Sequence, residues 1–275
     1  MVHITEVQLN NRKISNRDPA IVIAGMNVIE SEELCISVAR ELKNICERNN
    51  IDFIFKASFD KANRSSIDSF RGPGIDQGLK ILKNIKDEFN VPIISDIHEP
   101  SQAEAAAEVL DVIQIPAFLS RQTDLIQAAC ETKKVINVKK AQFLSPAQMM
   151  NIIEKCNHFG NENILLCERG SIFGYDNLIV DFLGIDEIKK IAPTILDITH
   201  SLQLPGGKGK SADGRSSQAK VLGTAAAAIG LAGFFIEVHP SPEDALCDGA
   251  SATRLSEFES LLLELKKFDE LSKSL

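Results

Sequence analysis

Six basic side chains stand at or just beyond the ends of short apolar runs: Lys56, Lys61, Arg64, Arg121, Lys139 and Arg169. A lone lysine is ordinarily a solvated surface charge. Cations that each follow a buried run can converge, and buried cations need anionic partners. A phosphate ester carries about −1.5 to −2 charges, so the set suits two phosphates and one carboxylate. Arginine grips such anions with paired N–H bonds, whereas lysine acts as a point charge. At the same run ends stand Asn27, Ser58, Asn63, Asp96, His98, Gln114, Gln142, His200, Glu237, His239 and Asp248. A histidine or carboxyl group tuned towards neutrality can transfer protons.

A repeating element must position these groups. β-Branched runs begin at Ile21, Ile51, Val91, Val112, Val135, Asn163, Ile195 and Gly233, with starts 21 to 40 residues apart. Each gap is long enough for a helix and two loops, as a parallel crossover requires. Leu34, Val38, Leu42 and Ile45 fall on one helical face, as do Leu79, Leu82, Ile85 and Phe89. Residues 219–231 form a small-residue helix, and 255–275 close the chain with Phe258, Leu261, Leu262, Leu265 and Phe268 on one side. Eight such units predict a (β/α)8 TIM barrel spanning residues 1–275 as one domain. An open doubly wound sheet would want GxGxxG after the first strand, where the chain reads AGMNVIES. In a barrel, active groups gather at the C-terminal strand ends. Lys56 with Ser58, Asp96 with His98 and Glu237 with His239 each share parity, hence a strand face, which can be the barrel interior.

Residues 1–18 read as an extension whose hairpin turns at Asn10-Asn11 and caps the barrel floor. The stretch PGGKGKSADGRSS at 205–217 reads as a mobile lid between the seventh strand and helix. Its Gly-Lys-Ser lacks the earlier glycine of a nucleotide loop, since that position is Leu204.

Composition excludes several classes. Thirty basic against 38 acidic residues give a net charge of −8, which argues against a nucleic-acid coat. Trp is absent and Tyr occurs once, so no aromatic platform for bases is expected. No apolar run reaches the length of a membrane span, and the N-terminus has no secretory apolar core. A cytoplasmic enzyme is expected. The six cysteines show no CxxC spacing, so buried reduced thiols are expected rather than a zinc ribbon.

The segments KASFDKANRSS (56–66), RGPG (71–74), QIPAFLSRQTD (114–124), KKAQF (139–143), RGSIFGYDN (169–177) and IEVHPSPEDALCDG (236–249) resemble the 3-deoxy-D-manno-octulosonate 8-phosphate synthases. The likeness runs from about residue 5 to the end. It implies a barrel with an N-terminal hairpin, usually a homotetramer. It also implies condensation of phosphoenolpyruvate with D-arabinose 5-phosphate and water, releasing phosphate, for lipopolysaccharide inner-core synthesis. By this resemblance Lys56, Lys61, Lys139 and Arg169 hold phosphoenolpyruvate, with Ser58 and Gln114 nearby. Asn63, Arg64 and Ser65 bind the pentose phosphate, and Arg121 reaches that phosphate in a neighbouring subunit. Asp96, His200, Glu237 and Asp248 line the reacting centre. The family divides into a metal-dependent class with Cys at the end of the first strand and a metal-independent class with Asn there. Asn27 at that position implies that no metal and no other cofactor is required.

Three rivals stand beside this reading. The 3-deoxy-D-arabino-heptulosonate 7-phosphate synthases share the barrel but carry the strand-one Cys and lack KANRSS. A Schiff-base aldolase would use Lys139 as its amine. A catalytically dead sugar-phosphate-binding scaffold would bind without turnover.

Overall fold

The computed structural model of the chain describes residues 3–205 and 213–275. Eight parallel strands carry the predicted units: β1 Ile21–Val28, β2 Phe53–Ser58, β3 Ile93–Asp96 and β4 Val112–Ile115, then β5 Val135–Lys139, β6 Ile164–Glu168, β7 Thr194–Asp197 and β8 Gly233–His239. They pair in sequence order, and β8 pairs with both β7 and β1, so the sheet closes into a ring. These strands are buried on both faces, which is why their sequences read as β-branched runs rather than as alternations.

Helices follow each strand: α1 Glu32–Arg48, α2 Ile75–Phe89, α3 Ala103–Val109 and α4 Thr123–Glu131, then α5 Met149–His158, α6 Phe182–Lys189, α7 Ala219–Ala227 and α8 Leu255–Lys273. The Ser31 hydroxyl caps α1 by accepting the Leu34 N–H, and Glu32 and Glu33 occupy the first turn, where the dipole favours carboxylates. Val38, Leu42 and Ile45 are buried on the face that the spacing predicts. α2 ends at Asn90 in the left-handed conformation, which stops the helix before β3. These helices are the outer layer of the (β/α)8 architecture.

The hairpin pairs Glu6–Leu9 with Arg12–Ser15 and turns at Asn10, φ +52°. Its Val7, Leu9 and Ile14 join the core. Ile4 N–H donates to Ile191 O, and Gln8 N–H reaches Asn163, residues that lie just before β7 and β6. The hairpin therefore covers the N-terminal barrel end, leaving the opposite mouth for chemistry. Of the expected lid, residues 206–212 lie outside the described residues. Its two flanks pair in antiparallel fashion, Gln203 with Gly214 and Leu204 with Asp213. All six cysteines are free and buried, as expected of reduced thiols.

Candidate active site

The strand register brings the chemistry together. Gly25 on β1 pairs with Glu237 on β8 and Lys56 on β2, Asp96 on β3 with Gln114 on β4, and Gln114 with Asn137 on β5. Two polar networks result. The first is a chain across four strands. Asn137 Nδ2 donates to Gln114 Oε1 at 2.8 Å, Gln114 donates to Asp96 Oδ1, and Ser58 Oγ donates to Asp96 Oδ2 at 2.8 Å. Lys61 Nζ lies 3.5 Å from the same carboxylate. Burial pushes the Asp96 carboxyl up, but Lys61 and Lys56 outweigh it and hold the group well below the usual carboxylate range.

The second network runs round the other half of the barrel. Lys56 Nζ is bonded to Glu237 Oε1 and donates to Asn27 O at 2.9 Å. Burial pulls its ammonium pKa down, with Glu237 opposing. Burial also acts to raise the Glu237 carboxyl, yet His200 and Lys56 lower it to about 2. The Asn27 amide donates to Glu237 Oε2 and, at 3.2 Å, to Asp248 Oδ2. His200 Nε2 faces Glu237 Oε2 at 3.4 Å, while Nδ1 meets Asp197 Oδ2 at 2.7 Å. Asp197 also accepts from Lys139 Nζ at 2.5 Å, and that ammonium sits 3.2 Å over the Phe235 ring. Burial pulls the Arg169 guanidinium pKa down, opposed by Asp197 and Asp248. Its Nη2 donates to Gln203 Oε1 at 2.8 Å.

A cavity of about 370 Å³ opens at this mouth. Its buried lining, the deep part, is Lys61, Asp96, Gln114, Lys139, Arg169 and Asp197, with His200 half-buried beside them. Its outer wall carries Asn63, Arg64, Ser65, His98, the 116–119 segment and Asp248. Such a concave, charged recess at a barrel's C-terminal face is where barrel enzymes place their substrates.

Three sequence expectations change. Arg121 does not join the other five cations. It is exposed, and its backbone carbonyl accepts from Lys155 Nζ at 2.8 Å. Lys56, Ser58, Asn27 and Glu237 are brought together but do not line the cavity, because their polar atoms bond to neighbouring strands beneath it. His239 shares parity with Glu237 yet faces Glu30 at 3.5 Å rather than the cavity, since β8 ends there and the chain turns away. The charge arithmetic changes as well. Lys56, Lys61, Arg64 and Lys139 already have carboxylate partners in Glu237, Asp96, Asp248 and Asp197. The cations are thus held in place before any anion arrives. The pairs to Lys61 and Arg64 are the loosest, at 3.5 and 3.6 Å, and both cations line the cavity.

Sequence reasoning missed Asp197, which joins Lys139 to His200. Its signal was present, three residues before His200 at the end of a strand. Gln203 and Asn137 were also missed, because an uncharged amide inside an apolar run looks like any loop residue.

The ring topology and the paired-cation mouth define an anion-binding (β/α)8 barrel. The chain belongs to the DAHP synthetase I family, whose sequence model matches residues 4–274. It is similar to the 2-dehydro-3-deoxyphosphooctonate aldolase of Pseudoalteromonas translucida, with 53% identity over 98% of this chain and 94% of that protein. The protein of that name from Psychromonas ingrahamii is 54% identical over 98% of this chain and 96% of its own length. That from Acinetobacter baumannii (strain SDF) is 53% identical over 97% and 94%. No helix among the described residues is long and apolar enough to cross a membrane.

Proposed function

We propose that the chain condenses phosphoenolpyruvate with D-arabinose 5-phosphate and water, giving 3-deoxy-D-manno-octulosonate 8-phosphate and inorganic phosphate for lipopolysaccharide inner-core synthesis. The observation that carries this is one cavity lined by buried cations, Lys61, Lys139 and Arg169, and by the more exposed Asn63, Arg64 and Ser65. Two anionic substrates can lie end to end in it, and the relatives' shared name specifies a phosphorylated 2-dehydro-3-deoxyoctonate and an aldolase. Phosphoenolpyruvate takes the deep part, with its phosphate and carboxylate on Lys61, Lys139 and Arg169. Gln114 lines the same floor, and Lys56 and Ser58 hold it from behind. The pentose phosphate takes the outer part.

Carbon 3 of phosphoenolpyruvate then attacks the sugar aldehyde, forming the new C–C bond, and the aldehyde oxygen takes a proton. Water adds at carbon 2 and loses a proton. The phosphohemiketal breaks its C–O bond to release phosphate, leaving the ketone. The protein's main work is to position two mutually repelling anions and stabilise the departing phosphate. His200 and Asp248 line the cavity and are placed to move the water's protons, with Glu237 and Asn27 behind His200 and Asp248.

No metal or other cofactor is required on this reading. The Asn27 amide meets both the Glu237 and the Asp248 carboxylates with N–H donors, while Lys56 and Arg64 supply their counter-charges, so a metal ion is not needed to balance them. The enzyme works in the cytoplasm as one barrel domain and as a homotetramer. There Arg121, exposed on its own subunit, serves a neighbour's sugar phosphate.

The test is phosphate release from phosphoenolpyruvate with arabinose 5-phosphate, against erythrose 4-phosphate, with and without exhaustive chelation. Full activity with the pentose alone, unaffected by chelator, is expected. A preference for the tetrose overturns the substrate assignment. Loss on chelation that a divalent ion restores overturns the metal-free reading.

A further inference from the structure

Lys140 follows Lys139 and faces the other way. Its ammonium is almost wholly buried and lies outside the cavity. It donates to Ala141 O and Leu144 O, both at 3.3 Å, and to Ser171 Oγ at 3.0 Å, and it lies 3.5 Å from Glu168 Oε1. That carboxylate oxygen accepts the backbone N–H groups of Arg169 at 3.0 Å and Gly170 at 2.6 Å. Burial pushes the Glu168 carboxyl up, against the pull of Lys140 and the Gly170 N–H.

A buried ion pair is a weak source of stability, because desolvation offsets most of the attraction. Its partners here are informative. The Lys140 ammonium contacts the loop after β5, Ser171 in the loop after β6, and the carboxylate of Glu168, the residue that ends β6. The Glu168 carboxylate contacts Lys140 and the turn that carries Arg169. Gly170 has φ +89°, a conformation a side chain rarely adopts, and a Cβ there would meet Leu178 Cβ at 3.3 Å. The turn is therefore sharp, and its two N–H groups are held by the carboxylate of the residue before it. Among the described residues the buried Arg169 Nε has no partner, and the guanidinium is held by its Nη2 contacts to His200 O and Gln203 Oε1.

We infer that Lys140 and Glu168 form a positioning pair that fixes the Arg169 turn against the loop carrying Gln142, setting the guanidinium for phosphoenolpyruvate without touching it. This rests on the substrate reading above. The pair acts on the phosphoenolpyruvate end alone, since the outer wall is built on the loops after β2, β3, β4 and β8.

The experiment is steady-state kinetics of phosphate release for wild type and Lys140→Met, with calorimetric titration of phosphoenolpyruvate onto each. The expected result is a rise of about tenfold or more in KM and Kd for phosphoenolpyruvate. Under the same conditions kcat stays within about threefold and the pentose phosphate KM within about twofold. An unaltered phosphoenolpyruvate KM overturns the inference, as does a matched rise in both KM values with a fall in kcat, the mark of a general structural role. If Lys140→Met does not fold, Glu168→Gln is read the same way. Its amide oxygen still accepts both N–H groups while the ion pair is lost, so a phosphoenolpyruvate KM about threefold higher is expected, and no change overturns the inference. A wild type that binds and turns over neither substrate overturns the reading of the site itself. An active wild type beside an unaltered variant overturns the positioning role alone.

Discussion

Lys56 shows how a single residue can belong to a site without facing its cavity. It is 1% exposed and bonded to Glu237, Met26 O and Asn27 O. Lys56→Met leaves Glu237 short of its partner in low dielectric, and breaking a buried pair in this way costs about 3–5 kcal/mol. At about 2–4 °C per kcal/mol for a chain of roughly this size, the melting temperature should fall by about 10 °C in a thermal scan. Acid dependence follows the same residue. The Glu237 carboxyl is depressed to about 2, so its contribution is full above the ordinary value of 4.5 and is lost as pH falls towards 2. Denaturant titrations across that window should show wild type losing stability, with the loss moved to higher pH in Lys56→Met. At Asn27, a change to Cys removes the donor between Glu237 and Asp248 and puts a thiol beside them and His200. Zinc retained after dialysis, measured by elemental analysis, is expected for Asn27→Cys and not for wild type.

At the scale of the element, the site depends on how closely strands approach. A Cβ built on Gly25 would lie 1.8 Å from Lys56 O, and the β1–β2 register is irregular between Gly25 and Val28. That irregularity carries Asn27 to the strand end. Gly25→Ala must push β1 off β2, moving Asn27 and Lys56 together. Overpacking ordinarily costs about 1–3 kcal/mol, and a backbone collision lies at the upper end. A loss of about 3 kcal/mol by urea denaturation is expected, with activity falling in the fraction that stays folded.

For the whole molecule, the open question is what covers the rim. Phe143, Ile172, Phe173 and Tyr175 are exposed on the loops after β5 and β6, and Ile172 N–H donates to Gln142 O, which joins these two loops. Contiguous exposed apolar side chains mark interaction surfaces, and a tetramer would cover them. Light scattering should give about four times the chain mass. Arg121→Ala should then raise the KM for the pentose phosphate about tenfold or more while leaving that for phosphoenolpyruvate unchanged. A monomer, or an unaltered KM, refutes the shared site.

Much of this architecture was legible because periodicity records burial. The eight runs, the α1 and α2 faces and the Asn10-Asn11 turn are local patterns, and burial on both strand faces wrote them plainly. Residue type likewise marked Lys139, Arg169, His200 and Asp248 as members of one mouth. Partnership was not legible. Nothing local ties Lys139 to Asp197, 58 positions away, or Asn27 to Asp248, 221 positions away. Nor does it show that Lys140 faces outward while Lys139 faces in, or that Arg121 stands apart. Those outcomes depend on ring closure and register, which set distances between strands that the chain order leaves free.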